Sequence, residues 1–154
     1  MKKLLALLLL SPLAFARVDL HCESLEKLPE GNIRNQLIFL ELDGFKVLEV
    51  YTIDPPLIRI ARWGGNNQFK TSTTIFLYGR GYHEDYLVKH YDEVTLDRET
   101  LKLEITEWQE DTKESQCQII DNGDEMLKYY ENKEKETNEH FDKLRDEQLK
   151  KNKI

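Results

Sequence analysis

The side chains best equipped for chemistry crowd between positions 80 and 91: Arg80, Tyr82, His83, Glu84, Asp85, Tyr86, His90 and Tyr91. Imidazole beside carboxylate is the combination that binds transition metals or moves protons, so His83-Glu84-Asp85 with His90 is where either chemistry would sit. The spacing matches no metal signature, and on an uninterrupted strand His83 and His90 have opposite parity and face opposite sides. The stretch is also rich in aromatic rings. Trp63, Arg80, Tyr82, His83, Tyr86, His90 and Tyr91 form a candidate binding surface of the kind that stacks on sugar rings or grips a peptide, with Arg59 and Arg62 close to Trp63. Packing is the competing role for each ring, because aromatics are what half-buried strands are built from.

No Gly-x-Ser-x-Gly elbow and no phosphate-binding loop occurs, and Ser24, Ser72 and Ser115 stand in no nucleophile motif. The sequence therefore predicts no catalytic residue, no metal ligand and no cofactor. His21 and His140 read as exposed strand and helix residues. Cys22 and Cys117 each stand alone, whereas a structural zinc site needs four ligands in close pairs. A disulfide between them is the expectation, closing a loop that restricts the unfolded chain by about 4 kcal/mol in the chain-entropy model. Bridged cysteines leave no thiol for a Cys-His dyad.

The compartment follows from the first residues. Met1-Lys2-Lys3 is a basic start, residues 4–10 are an apolar run too short to cross a bilayer, and Ala14-Phe15-Ala16 has the small-x-small pattern that signal peptidase reads. This predicts a bacterial export signal over 1–16, cleaved after Ala16, and a periplasmic or secreted product in an oxidising environment. Asp19-Leu20-His21 before Cys22 lacks the small residues of a lipoprotein box. The formal charge of −7 becomes −9 when Lys2 and Lys3 leave with the signal, and such acidity argues against nucleic acid as a partner.

The elements that position the candidate residues are strands. Residues 18–22 alternate as a first strand, and 37–42 and 45–51 flank Asp43-Gly44, a two-residue hairpin signal. That turn sets Leu42 opposite Phe45, Leu40 opposite Val47, and Ile38 opposite Glu49, a poor pair that calls for a bulge or a rim. After Pro55-Pro56 comes a short strand over 57–62, then a turn or loop over 63–67, then a β-branched strand over 71–78. A four-residue connection at 97–100 joins the next hairpin, setting Leu96 opposite Leu101 and Val94 opposite Leu103. Residues 110–113 read as a polar loop and 117–120 as the closing strand. Leu37, Phe39, Phe45, Val47, Ile75 and Leu77 are expected to fill a narrow interior.

The sequence thus predicts a mainly β fold over 17–121, a small antiparallel barrel or sandwich of about six to eight strands in meander order. Residues 122–154 change character, with many charges and neither Gly nor Pro after Gly123. A C-terminal charged helix is expected, laced by pairs such as Glu131 with Lys135 and Glu139 with Lys143. Met126, Leu127, Tyr129 and Tyr130 are its docking candidates, the distal half projects, and truncation after Gly123 is expected to leave the β part folded.

In outline the chain resembles the small periplasmic barrels that inhibit lysozyme, with a Cys in the first strand and one near the end. Their Ser-Gly-x-x-Tyr loop motif is not found in this sequence, so the resemblance carries over no site residue. The functional expectation is a non-enzymatic exported β domain that binds a protein or envelope component. An inhibitor of an exported enzyme such as lysozyme is one version, and a small-ligand carrier of lipocalin type is the alternative.

Overall fold

Leu20 and Cys22 alternate with Asp19, His21 and Glu23, and that period of two becomes β1 (Val18–Ser24). The computed structural model describes residues 17–42, 44–82, 89–107 and 112–152, and describes only the backbone at 66, 67, 69, 78–82, 89–93 and 107. Seven further strands follow: β2 (Arg34–Leu40), β3 (Phe45–Asp54), β4 (Leu57–Lys70), β5 (Thr74–Tyr82), β6 (Lys89–Asp97), β7 (Lys102–Glu107) and β8 (Thr112–Ile120). Each pairs antiparallel with the next, and β8 returns to β1, closing a barrel in meander order. A helix, α1 (Gly123–Lys151), completes the chain.

Cys22 and Cys117 stand opposite each other in the β1–β8 pairing and are joined as a disulfide. The bridge lies in a core that fills the barrel, with Leu20, Ile38, Phe45, Val47, Trp63, Ile75, Leu96 and Leu103 among its members. A second core lies outside the barrel wall. Leu37, Phe39, Leu48, Val50, Ile58 and Ile60 point outward and are covered by Tyr130, Met126 and Leu127 of α1. Leu37 and Phe39 therefore do not fill the interior as expected, because they have the opposite parity to Ile38 and Leu40. On β7 and β8 the outward face is polar: Lys102 bridges Glu104 and Glu114 at 3.4 and 2.6 Å, and Gln116 and Gln118 are exposed. Among the described residues no helix is long and apolar enough to cross a membrane.

Both hairpins differ from expectation by two residues of register. Leu40 pairs with Phe45 and Gln36 with Glu49, so the connection spans 41–44 and closes on a Glu41 N–H to Gly44 carbonyl bond of 2.9 Å. The shift keeps every face and removes the Ile38–Glu49 conflict. In the other hairpin Leu96 pairs with Leu103 and Val94 with Ile105. There Asp97 Oδ1 accepts the amides of Glu99 and Thr100 at 2.8 and 2.7 Å, and the Leu101 amide reaches the Asp97 carbonyl, a wider turn than a four-residue connection. These bonds hold the Asp97 carboxyl below its usual range, the Thr100 amide first.

Residues 63–67 are strand rather than loop: β4 runs through them with a register irregularity between Gly64 and Asn67. A Cβ at Gly64 would lie 2.5 Å from the Phe45 carbonyl oxygen, so glycine marks close strand approach here, not a turn. The closing strand likewise begins at Thr112, inside the expected loop.

The barrel has two ends. At the upper end α1 starts beside β1, where Arg17 Nε meets Asp19 Oδ1 at 2.6 Å and Arg17 Nη2 meets Asp124 Oδ1 at 2.9 Å. Asp19 sits so close to Gly123 that no side chain fits there, and two carboxylates at a helix start suit its dipole. The helix then runs down the wall past Arg62, which pairs with Glu134 at 2.7 Å, to Ile58 at the lower end. Every described residue from 138 onward is exposed, and after Phe141, which lies beside Arg59 of β4, the helix runs on for about 15 Å. Its exposed pairs are Lys133–Glu136, Lys135–Glu139 and Asp142–Arg145, in place of those expected.

Candidate functional site

The register brings the backbone of four of the seven expected binding residues to one end of the barrel. Arg80 lies opposite Gly64 on β4 and His90 on β6, Tyr82 lies opposite Arg62, and Tyr91 lies opposite Glu107. All four stand toward the lower end, where β5 stops and β6 starts; their side chains, and residues His83 and Tyr86 altogether, lie outside the described residues. Trp63 does not join a surface. It is 4% exposed inside the barrel, edge-on to Phe45 with ring centroids 5.5 Å apart, because its parity on a continuous β4 points it inward. Arg59 and Arg62 turn to the helix instead: Arg62 pairs with Glu134, and the Arg59 guanidinium lies 5.7 Å from the Phe141 ring.

The barrel interior changes from apolar to polar toward the same lower end. Arg34 donates from Nε and Nη2 to Glu49 Oε1 at 3.1 and 2.7 Å, and Glu49 is buried. One turn of the ladder above, Gln36 lies opposite both Cys22 and Glu49, and Ser115 is buried on β8. Gln36 Oε1 is buried with no hydrogen-bond partner, a cost that an apolar side chain would not carry. Desolvation likewise pushes the Tyr51 phenol up, against the nearby Arg59.

Among the described residues around this mouth several large apolar side chains are exposed. Nine large hydrophobic residues are exposed among the described residues, and six of them, Leu25, Ile33, Ile53, Phe141, Leu144 and Leu149, belong to loop 25–33, the lower end of β3 or the later part of α1. The loop 25–33 is built rather than loose. Asn32 Nδ2 donates to the Pro29 and Glu30 carbonyls, each at 3.3 Å, and Ile33 exchanges backbone and hydroxyl bonds with Thr52. Gly31 holds φ at 78°, a conformation glycine adopts freely, and backs onto Pro55.

His21 is buried beneath the helix, not exposed as expected. Asn35 Nδ2 donates to Tyr130 Oη at 3.4 Å, and Tyr130 Oη lies 3.2 Å from His21 Nε2. In the tautomer with the imidazole proton on Nδ1, 4.0 Å from Glu23 Oε1, the phenol donates to His21 Nε2 while accepting from Asn35. Burial lowers the His21 pKa, opposed by Glu23, and burial raises that of Tyr130, opposed by Asn35. The phenol faces the barrel wall, where its contacts with His21 and Asn35 dock α1, and His21 and Glu23 also line a groove beside the end of β1. Sequence reasoning missed this group; the signal was the Tyr130 position on the Leu127, Tyr130, Glu134, Thr137 stripe.

Among the described residues no group of three or more His, Cys, Asp or Glu side chains is arranged to hold a metal. The class these features define is a small disulfide-closed antiparallel meander barrel with an external C-terminal helix, compatible with an extracellular or periplasmic protein. No family model, no curated protein and no solved structure matches the chain.

Proposed function

We propose that this chain is an exported, non-enzymatic binding protein that engages a protein or envelope component through the lower end of its barrel, with the projecting half of α1 as part of the contact. The observation that carries the reading is the concentration of exposed apolar side chains at that end. Exposed apolar side chains gathered at one end of a folded domain mark a candidate interaction site, and here they stand beside the carboxylates of Glu23 and Glu26. The export signal read over 1–16 and the disulfide support placing it outside the inner membrane. The packed apolar barrel interior favours this reading over a small-ligand carrier, whose interior must leave room for its cargo.

The test is capture from envelope extract with the purified protein, with an Ile33→Ser/Ile53→Ser variant and with a chain ending at Asn138. A component retained by the full chain and lost by either variant supports the reading. Equal retention by all three contradicts it.

A further inference from the structure

We infer that the lower end recognises a cationic protein segment that also carries apolar side chains; this deepens the binding reading above and rests on it. A groove of about 370 Å³ lies between the end of β1 and the start of β2, lined by Glu23, Glu26, Leu28, Asn32 and Ile33 and by Arg34, whose guanidinium is paired with Glu49. A second, of about 360 Å³, shares Glu23 and Ser24 with it and continues over Leu25 and Gln118. The two flank the last residues of β1 on either side.

The charges around these grooves are one-sided. Glu23 and Glu26 line the grooves, and Glu30 and Asp54 are exposed on neighbouring lower-end segments; among the described residues of loop 25–33 and the adjoining strand ends the cations are Lys27 and Arg34, and Arg34 is paired with Glu49. Glu26, Glu30 and Asp54 form no ion pair with any described residue, and Glu23 has only the neutral His21 imidazole, 4.0 Å away. Carboxylates beside Leu28, Ile33 and Ile53 suit the chemistry of lysine and arginine. Their aliphatic stems lie along apolar surface while the charged heads reach the acidic rim. The internal hydrogen bonds of loop 25–33 hold the groove in shape before a partner arrives, which lowers the entropy lost on binding. The acidic field of the whole chain speeds encounter with a basic partner but does not choose the face. The grooves and their carboxylates choose it.

Fluorescence anisotropy with three labelled peptides tests this: one of mixed Lys and Leu, the same with Glu for Lys, and the same with Ser for Leu. The expected result at about 0.15 M salt is that the Lys/Leu peptide binds about tenfold or more tighter than either control. Glu23→Gln/Glu26→Gln and Ile33→Ser should each weaken it about tenfold, while Glu41→Gln/Glu125→Gln, which removes the same charge at the upper end, leaves it unchanged. Equal binding of the three peptides, equal loss in the upper-end variant, or no binding at all overturns the inference. Envelope capture that persists in a protein blind to all three peptides would leave the binding reading standing and refute this one alone.

Discussion

Thr137 Oγ1 accepts the Ile58 amide at 3.1 Å and donates to the Lys133 carbonyl at 3.0 Å, so a threonine in mid-helix closes the backbone account of β4. Both groups are buried, and Thr137 is 1% exposed. The contact joins a charged helix to the barrel with a polar residue where an apolar one would be expected. Replacing Thr137 by Val keeps the shape and strands the Ile58 amide, which should cost about 1–3 kcal/mol. Urea unfolding checks it: Thr137→Ser should recover most of the loss, and an unchanged midpoint in Thr137→Val would show the bond contributes nothing.

The first half of α1 belongs to the fold. Removing it uncovers six outward apolar side chains, each worth about 1.5–3 kcal/mol when buried, a sum comparable to the whole stability of a small domain at about 5–15 kcal/mol. A chain ending at Asn122 should therefore aggregate, while one ending at Asn138 should remain folded and monodisperse. Size exclusion and circular dichroism distinguish them, and a well-behaved chain ending at Asn122 would show that the second core is dispensable.

Acid should weaken the protein through His21. Its folded pKa is lowered by burial, so the unfolded state binds the proton more readily and stability rises with pH. The contribution is intact above the ordinary histidine range and is lost as pH falls through it. Urea midpoints between about pH 8 and 5 should drop in the native protein and drop less in His21→Gln, which keeps an acceptor for Tyr130. Parallel curves for the two proteins would remove His21 as the cause.

The sequence made most of the strands and the disulfide readable, because period-two alternation and two isolated cysteines are local signals, but not which face of β2 lines the interior, since the helix gives Leu37 and Phe39 an apolar cover outside. Register was not readable. The Asp43-Gly44 pair suggested the tightest turn, but the chain uses 41–44; Asp97 accepts amides within its own loop and widens that turn too. Both slips are by two, so every face survived while every partner changed. Gly64-Gly65 suggested a turn where Gly64 instead admits the Phe45 carbonyl, and this misplaced Trp63 on the surface. Helix docking was half legible: Met126, Leu127 and Tyr130 pack as expected, but Tyr129 is exposed, and Glu134 and Thr137 continue the docking stripe with an ion pair and a hydrogen bond. The lower-end surface was not legible, since it gathers residues from three separate segments that only the barrel brings to one end.

Site-specific photocrosslinking tests that surface most directly. A benzophenone amino acid is placed at Ile33 on the lower end or at Leu42 on the upper end, both exposed, and the folded protein is irradiated in envelope extract. A discrete adduct from position 33 and none from position 42 is the predicted result. An adduct from position 42 alone, or none from either, would contradict the assignment of the lower end as the recognition face.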